Sequence, residues 1–300
     1  MNSKDLLQRA LSYIHNCESA KIQELMNKHQ DIIISIYDFE AFVYAFSHNF
    51  KELEQCININ GSGGSLIPKL NITSIACLYI AAITRLKIAK TGSAKNTSMV
   101  GSSDFFRSLG LLSTHNKLNG LHKYSFCYYD HTELAPWKLY KELLSQNKSL
   151  CEYIQNGVFF EYSANIYGIG ISKSNYMEKL EYGKIYNKPQ TLFSYYTNTS
   201  YGMIDEIMQG DVYVNGNYLL SIKGDIYIPN NSSEIINEGI KLVYGTSNNN
   251  SAIESLRYTV AIILSILTNY SIDEGIKLFN IAFKRKTAGI LIENLKALYI

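Results

Sequence analysis

The 300-residue chain is 46% hydrophobic and 18% charged with a formal net charge of +2, enough apolar content for a sizeable core and too mild a charge to mark a nucleic-acid or membrane-surface binder. Its five cysteines (Cys17, Cys56, Cys77, Cys127 and Cys151) are odd in number, widely spaced and without a CxxC pair. That pattern fits reduced thiols in the cytoplasm rather than a disulfide framework or a zinc site. The opening residues are amphipathic and read as no signal peptide, and the apolar stretch Thr259–Leu267 falls short of the roughly 20 residues of a membrane helix.

Residues 4 to 50 read as helices. Leu6, Leu7, Ala10, Leu11 and Ile14 recur at helical spacing, as do Phe39, Phe42, Val43 and Phe46. From Cys56 the pattern changes to a short alternating strand, a turn with three glycines at 61, 63 and 64, a buried helix over Ser74–Thr84 and a strand over Leu86–Ala89. This is a βαβ unit. A second polar loop, Lys90–Ser98, leads to a helix from Ser102 or Ser103 to Leu109, stopped by Gly110. Both loops leave the carboxyl ends of successive strands, where open α/β sheets bind their ligands.

Beyond Leu111 the text is polar and irregular as far as Phe126, and a helix is expected over 135–144. Strand-like runs follow at 158–160 and 166–171, then a helix near 175–180 and a strand near 184–186 or 190–195. Tyr201–Ile207 sets Asp205 and Glu206 in an apolar frame. Strands at Asp211–Val214, Tyr218–Lys223 and Asp225–Ile228 suggest a meander at the sheet edge. The remainder reads as helices: Ser251–Leu267, a segment from the capping box Ser271–Glu274 to about Lys286, and a last one carrying Leu291, Leu295 and Leu298. The six histidines show no metal-like spacing.

With these segments in place the chain resembles the anthranilate phosphoribosyltransferase family, of the nucleoside phosphorylase-like class, from about residue 56 onward. Gly61-Ser-Gly-Gly-Ser65 is similar to the family's Gly-Thr-Gly-Gly-Asp turn, and Asn71-Ile-Thr-Ser74 to its Asn-Ile-Ser-Thr. Lys90-Thr-Gly-Ser93 stands for Lys-His-Gly-Asn, and Asp205-Glu206 for an acidic pair used for metal. The resemblance implies an α/β protein with a small N-terminal helical domain, residues 1–54, joined by a helical segment near 135–155. It also implies a large domain, residues 55–300, with a mixed central sheet flanked by helices.

The implied activity is Mg²⁺-dependent transfer of a phosphoribosyl group from phosphoribosyl pyrophosphate (PRPP). Gly61, Gly63 and Gly64 would let the backbone approach the pyrophosphate. Asn71, Thr73 and Ser74 would meet it at a helix N-terminus, where the dipole favours an anion. Lys90 and Gly92 would face the ribose phosphate, with Thr97 and Ser98 closing over the phosphates. Asp205, Glu206 and Thr73 would hold the metal, and a cytoplasmic homodimer is expected. Several family positions differ: Ser65 replaces an acid, Thr91 a histidine and Ser93 an asparagine. The arginine that grips the anthranilate carboxylate has no counterpart in 147–152 or 157–162, where Lys148 lacks a bidentate fork. Two readings therefore stand. One is a transferase acting on an unidentified small-molecule acceptor other than anthranilate. The other is a catalytically degenerate relative that binds a nucleotide, a nucleic acid or a protein.

Overall fold

A computed structural model describes residues 1–16, 18–34, 38, 56–61, 67–92, 98–111, 117–130, 147, 166–172 and 191–298. The predicted apolar stripe of the opening segment does turn inward: Leu6, Leu7, Ala10 and Ile14 are buried in helix α1 (Ser3–His15), which packs against α2 (Ser19–Lys28). The Asn2 side chain caps α1 by accepting from the Asp5 amide at 2.8 Å. The aromatic stripe at 39–46 and the helix expected over 135–144 lie outside the described residues. The side-chain amide of Asn147 donates to the carbonyls of His29 (3.2 Å) and Ile32 (3.0 Å), just past α2.

The βαβ unit is present, with boundaries shifted by two residues or fewer except at the end of its second strand. It comprises β1 (Ile57–Asn60), α3 (Ile72–Thr84) and β2 (Ile88–Gly92), and β1 pairs β2 in parallel. Every residue of α3 from Ile72 to Ala81 is buried, as a helix that is apolar on all faces beyond its first turn must be to escape water. It lies between the sheet and a layer of later helices. The chain continues through α4 (Ser102–Ser108), α5 (Lys117–Tyr124), β3 (Phe126–Asp130) and β4 (Ile166–Gly170). Gly110 ends the α4 segment in the left-handed region, with φ +79°.

The helix α5 departs from the irregular stretch expected before Phe126. Its sequence carries a weak apolar stripe and a glycine, but Gly120 is needed there. A Cβ at that position would stand 2.8 Å from the carbonyl oxygen of Phe126, because α5 folds back closely on β3.

After β4 come β5 (Thr191–Thr199), β6 (Gly202–Ile204), β7 (Gly210–Val214) and β8 (Asn217–Ile222). The sheet order is β3-β2-β1-β4-β5-β7-β8, with β6 paired to β5. The first five strands are parallel, while β7 and β8 form an antiparallel edge. This is the expected mixed sheet. The strand expected over Asp225–Ile228 is not formed; Tyr227 instead donates from its hydroxyl to Glu234 at 2.6 Å.

That segment leads into α6 (Ser232–Val243), which the sequence reading did not include, capped by Asn231 accepting from the Glu234 amide at 2.9 Å. The remaining helices are α7 (Asn250–Leu267), α8 (Ile272–Lys284) and α9 (Thr287–Lys296). Ser271 and Glu274 form the predicted capping box. The helices α6 to α9 all pack on α3. Close approach of α7 and α8 depends on Gly275, whose Cβ would stand 2.7 Å from the Cα of Ala261. Among the described residues no helix is long and apolar enough to cross a membrane.

Candidate functional site

Strand β5 outruns β4. Its residues Thr191–Tyr195 pair with β4, and Thr197–Thr199 pair with the returning strand β6. Since β7 also pairs Thr197 and Asn198, β6 takes the opposite edge, the one β4 has vacated. The chain leaving β6 therefore runs head-on into the carboxyl end of β4, and that is where Asp205 and Glu206 fall. A Cβ on Gly170, the last residue of β4, would stand 2.1 Å from the Asp205 carbonyl oxygen. One on Gly61, just past β1, would stand 3.0 Å from Asp205 Oδ2. Glycine at both strand ends makes room for the acidic turn.

Both acids are buried, Asp205 fully and Glu206 to 4% exposure. Glu206 is held at the first turn of α3: its Oε2 accepts from the Thr73 amide at 3.0 Å and from the Thr73 hydroxyl. The Thr73 hydroxyl also lies 3.1 Å from Tyr195 Oη, and Tyr195 reaches the Asn60 carbonyl at 3.2 Å. With the Thr73 proton committed to Glu206, the Tyr195 proton is left for Asn60 or Thr73. From behind, Thr197 on β5 fixes the turn by donating to the Glu206 carbonyl at 2.8 Å and accepting from the Met208 amide at 3.1 Å. Burial pushes the Glu206 carboxyl up and the Asp205 charge adds to this, while Lys69 and Thr73 pull the other way; the carboxyl stays above its ordinary range. Burial, reinforced by Glu206, drives the Tyr195 phenol well above its ordinary range.

Lys69, which the sequence reading passed over, sits on the pair. Its ammonium bonds Asp205 Oδ1 and lies 3.7 Å from Glu206 Oε1. Burial pulls this ammonium down, but the two carboxylates outweigh it and its pKa ends above the ordinary 10.5.

One strand over, Lys90 is also buried, with its ammonium donating to Asn60 Oδ1 at 2.5 Å and to the Thr91 carbonyl. Thr91, where the resembled family has histidine, accepts from the side-chain amides of Asn58 (3.0 Å) and Asn60 (2.9 Å). The ends of β1 and β2 are thus tied by a polar network inside the sheet. Two polar residues at i and i+2 of a buried strand, Asn58 and Asn60, were the sequence signal for it. Asn71 caps α3 by position and donates to the Val100 carbonyl at 3.3 Å. Ser74 lies 3.1 Å from the Ser102 hydroxyl, and Gly92 packs so tightly on Ser102 that a Cβ would approach its Cβ to 2.5 Å. Ser98 donates to the Val100 carbonyl at 3.0 Å.

Gly61, Asn71, Thr73, Ser74, Lys90, Gly92, Ser98, Asp205 and Glu206 therefore belong to the ends of β1, β2 and β6 or to the loop and first turn that follow. Gly63, Gly64 and Thr97 lie outside the described residues. Among the described residues no group of three or more His, Cys, Asp or Glu side chains converges on a metal position. Asp205 and Glu206 nevertheless offer hard oxygen ligands already aimed at a single cation, the Lys69 ammonium. Together with the Thr73 hydroxyl they fit Mg²⁺ in chemistry.

The five parallel strands carry the acidic turn and the N-terminus of α3 at their carboxyl edge, where open α/β sheets bind their ligands. The fold is that of the anthranilate phosphoribosyltransferases. The crystal structure of the enzyme from Thermus thermophilus superposes with a TM-score of 0.68 at 14% identity, covering 99% of this chain and 95% of that one. The Saccharomyces cerevisiae enzyme in complex with PRPP and Mg gives 0.69 at 15% identity, covering 98% and 92%. No protein-family model matches the sequence, and no curated protein does. At such identity the likeness is one of fold.

Proposed function

We propose that the chain is a Mg²⁺-dependent phosphoribosyltransferase that moves the phosphoribosyl group of PRPP onto an acceptor other than anthranilate. The observation that carries this reading is the buried pair Asp205–Glu206, locked to the first turn of α3 by Thr73, on a fold shared with an enzyme solved with PRPP and Mg.

Departure of pyrophosphate from the anomeric carbon concentrates negative charge on the leaving group and leaves cationic character on the ribose. The site's task is electrostatic, and its donors must be fixed in advance. Asn71 and Ser74 would offer donors at the positive end of α3, where Thr73 gives its amide and hydroxyl to Glu206 and so fixes the acid. Gly61, Gly63 and Gly64 would let the backbone approach the pyrophosphate, while Gly92, Thr97 and Ser98 would serve the ribose phosphate and the remaining phosphate oxygens. Lys90 would join them by exchanging its bonds to Asn60 and the Thr91 carbonyl for the anion. Asp205, Glu206 and Thr73 are the residues that would hold Mg²⁺, and the chemistry it supplies when bound is neutralisation of the departing pyrophosphate. With no arginine fork in the regions 147–152 and 157–162, an anthranilate carboxylate has no bidentate partner there.

Calorimetry with PRPP and Mg²⁺ tests the reading. Binding is expected in the micromolar to millimolar range and should disappear in Asp205→Asn/Glu206→Gln. No heat at millimolar PRPP would sink it, and retention of binding in the double variant would move the metal site elsewhere. A homodimer is part of the proposal, read out by light scattering; a monomer at working concentration would contradict it.

A further inference from the structure

Lys69 stands on the metal-binding acids of the site, and the transferase reading has no use for it. It lies two residues before the cap of α3. Its ammonium is on Asp205 Oδ1 and within 4 Å of Glu206. Those two carboxylates are the ligands that the transferase reading assigns to the metal, so the lysine stands on the metal's own donors.

The arrangement is asymmetric in charge, since two carboxylates face one ammonium, whereas a dication would match them. It is also asymmetric in anchorage. Glu206 is clamped by two bonds from Thr73, and Asp205 is walled in by Gly61 and Gly170. Lys69 reaches the pair on a four-carbon stem and keeps 12% of its side chain exposed. The carboxylates are fixed, and the ammonium is the part that can leave.

We propose that Lys69 is a displaceable counter-cation: it holds the metal ligands until the metal arrives, competes with the divalent ion for them, and is released toward the substrate phosphates when metal and pyrophosphate enter together. This rests on the transferase reading for the identity of the ligands. It explains how a buried pair of acids is held in place before substrate arrives, when an unpaired buried charge would be costly. Mg²⁺ sheds its water reluctantly, so on its own it gains little by evicting an ammonium. A metal supplied with pyrophosphate would bring oxygen ligands of its own, and the freed lysine would gain an anion to pair with. The site thus favours metal delivered with substrate over free metal.

The test needs neither PRPP nor the acceptor. Mn²⁺ alone is titrated into the whole chain and followed by electron paramagnetic resonance, with wild type beside Lys69→Met and Lys69→Gln. Removal of the competing charge is expected to tighten Mn²⁺ binding by roughly tenfold or more, and adding Asp205→Asn to either variant should abolish the gain. Unchanged or weaker Mn²⁺ binding in a folded Lys69→Met protein overturns the proposal, as does binding by none of the three proteins. A second measurement covers variants that fail to fold. In the wild-type protein with lysines reductively ¹³C-methylated, saturating Mg²⁺ with inorganic pyrophosphate should shift the Lys69 methyl resonance, and a resonance that stays put overturns it equally. A protein that passes these tests but does not bind PRPP would refute the transferase reading and leave the lysine–metal competition standing.

Discussion

Gly170→Ala is the sharpest probe of how the acidic turn is held. Gly170 is not among the glycines with positive φ, so alanine has no conformational penalty there. The added methyl, however, would lie 2.1 Å from the Asp205 carbonyl oxygen and 2.9 Å from its carbon. Backbone rather than a flexible side chain must yield, by on the order of 1 Å, and overpacking of that kind costs about 3 kcal/mol. For a chain of this size that corresponds to a fall in Tm of about 5–10 °C. Displacing the turn should also cost the site its cation, so Mn²⁺ or PRPP binding should fall at least tenfold. Gly168→Ala on the same strand is the control, because its methyl would meet the ring of Phe193 at 2.4 Å. It should destabilise by about 1–3 kcal/mol while leaving ligand binding close to wild type. Differential scanning calorimetry and a metal titration on both variants decide the matter. A Gly170→Ala protein with wild-type Tm and wild-type metal binding would refute the head-on packing of Asp205 against β4.

Further outcomes follow from the same geometry. Tyr195→Phe removes a hydroxyl buried between Asn60 and Thr73, and should cost about 1 kcal/mol in urea unfolding and weaken PRPP binding by loosening Thr73. Tyr79→Phe, whose hydroxyl donates to the Leu242 carbonyl at 2.8 Å at the end of α6, should cost a similar 0.5–1.5 kcal/mol, by rough estimate, with no change in ligand binding. Burial pushes the Cys77 thiol from its ordinary 9.0 up to about 12. A folded-state value above the unfolded one means that the neutral thiol's contribution is intact below pH 9 and is lost as pH rises from 9 toward 12. Urea midpoints measured from pH 8 to 11 should therefore fall more steeply for wild type than for Cys77→Ala; parallel curves would count against it.

Local chemistry made much of the fold readable. The alternation before Gly61, the uninterrupted apolar run of α3 and the strand beyond it are neighbours in sequence, and they form neighbouring elements. Serine and glutamate three apart announced the start of α8, and Gly110 the end of α4. What was missed has equally local causes. The α5 segment carries Gly120 and few apolar residues, because it is held by its contact with β3 and not by its own stripe. The α6 segment follows Pro229 and was overshadowed by a strand-like Asp225–Ile228, whose tyrosine binds Glu234 instead of entering the ladder. At the site, Asp205 and Glu206 stand out as two acids in an apolar frame, and only the resemblance gives them a metal. Lys69 did not stand out at all, since its partner lies 136 positions away and a single lysine after a proline carries no local signal. Thr73 and Ser74 were legible as a helix start, but which carboxylate the threonine binds was a tertiary fact.

The meeting of β6 with the end of β4 makes the β5–β6 hairpin a ruler for the site. Side chains on a strand alternate faces, so a change that slips β6 by one residue against β5 would exchange the directions of everything downstream as far as the acidic turn. The carboxylate now clamped by Thr73 would point away from α3 and its neighbour would take its place. A two-residue slip would restore the facing, whereas residues inserted at the exposed tip around Tyr201 would lengthen the turn without moving β6. Register slips of β6 should therefore be refused in odd steps and better tolerated in even ones, a parity rule that a small library of insertions within β6, set against insertions at the tip and scored for metal binding, would reveal.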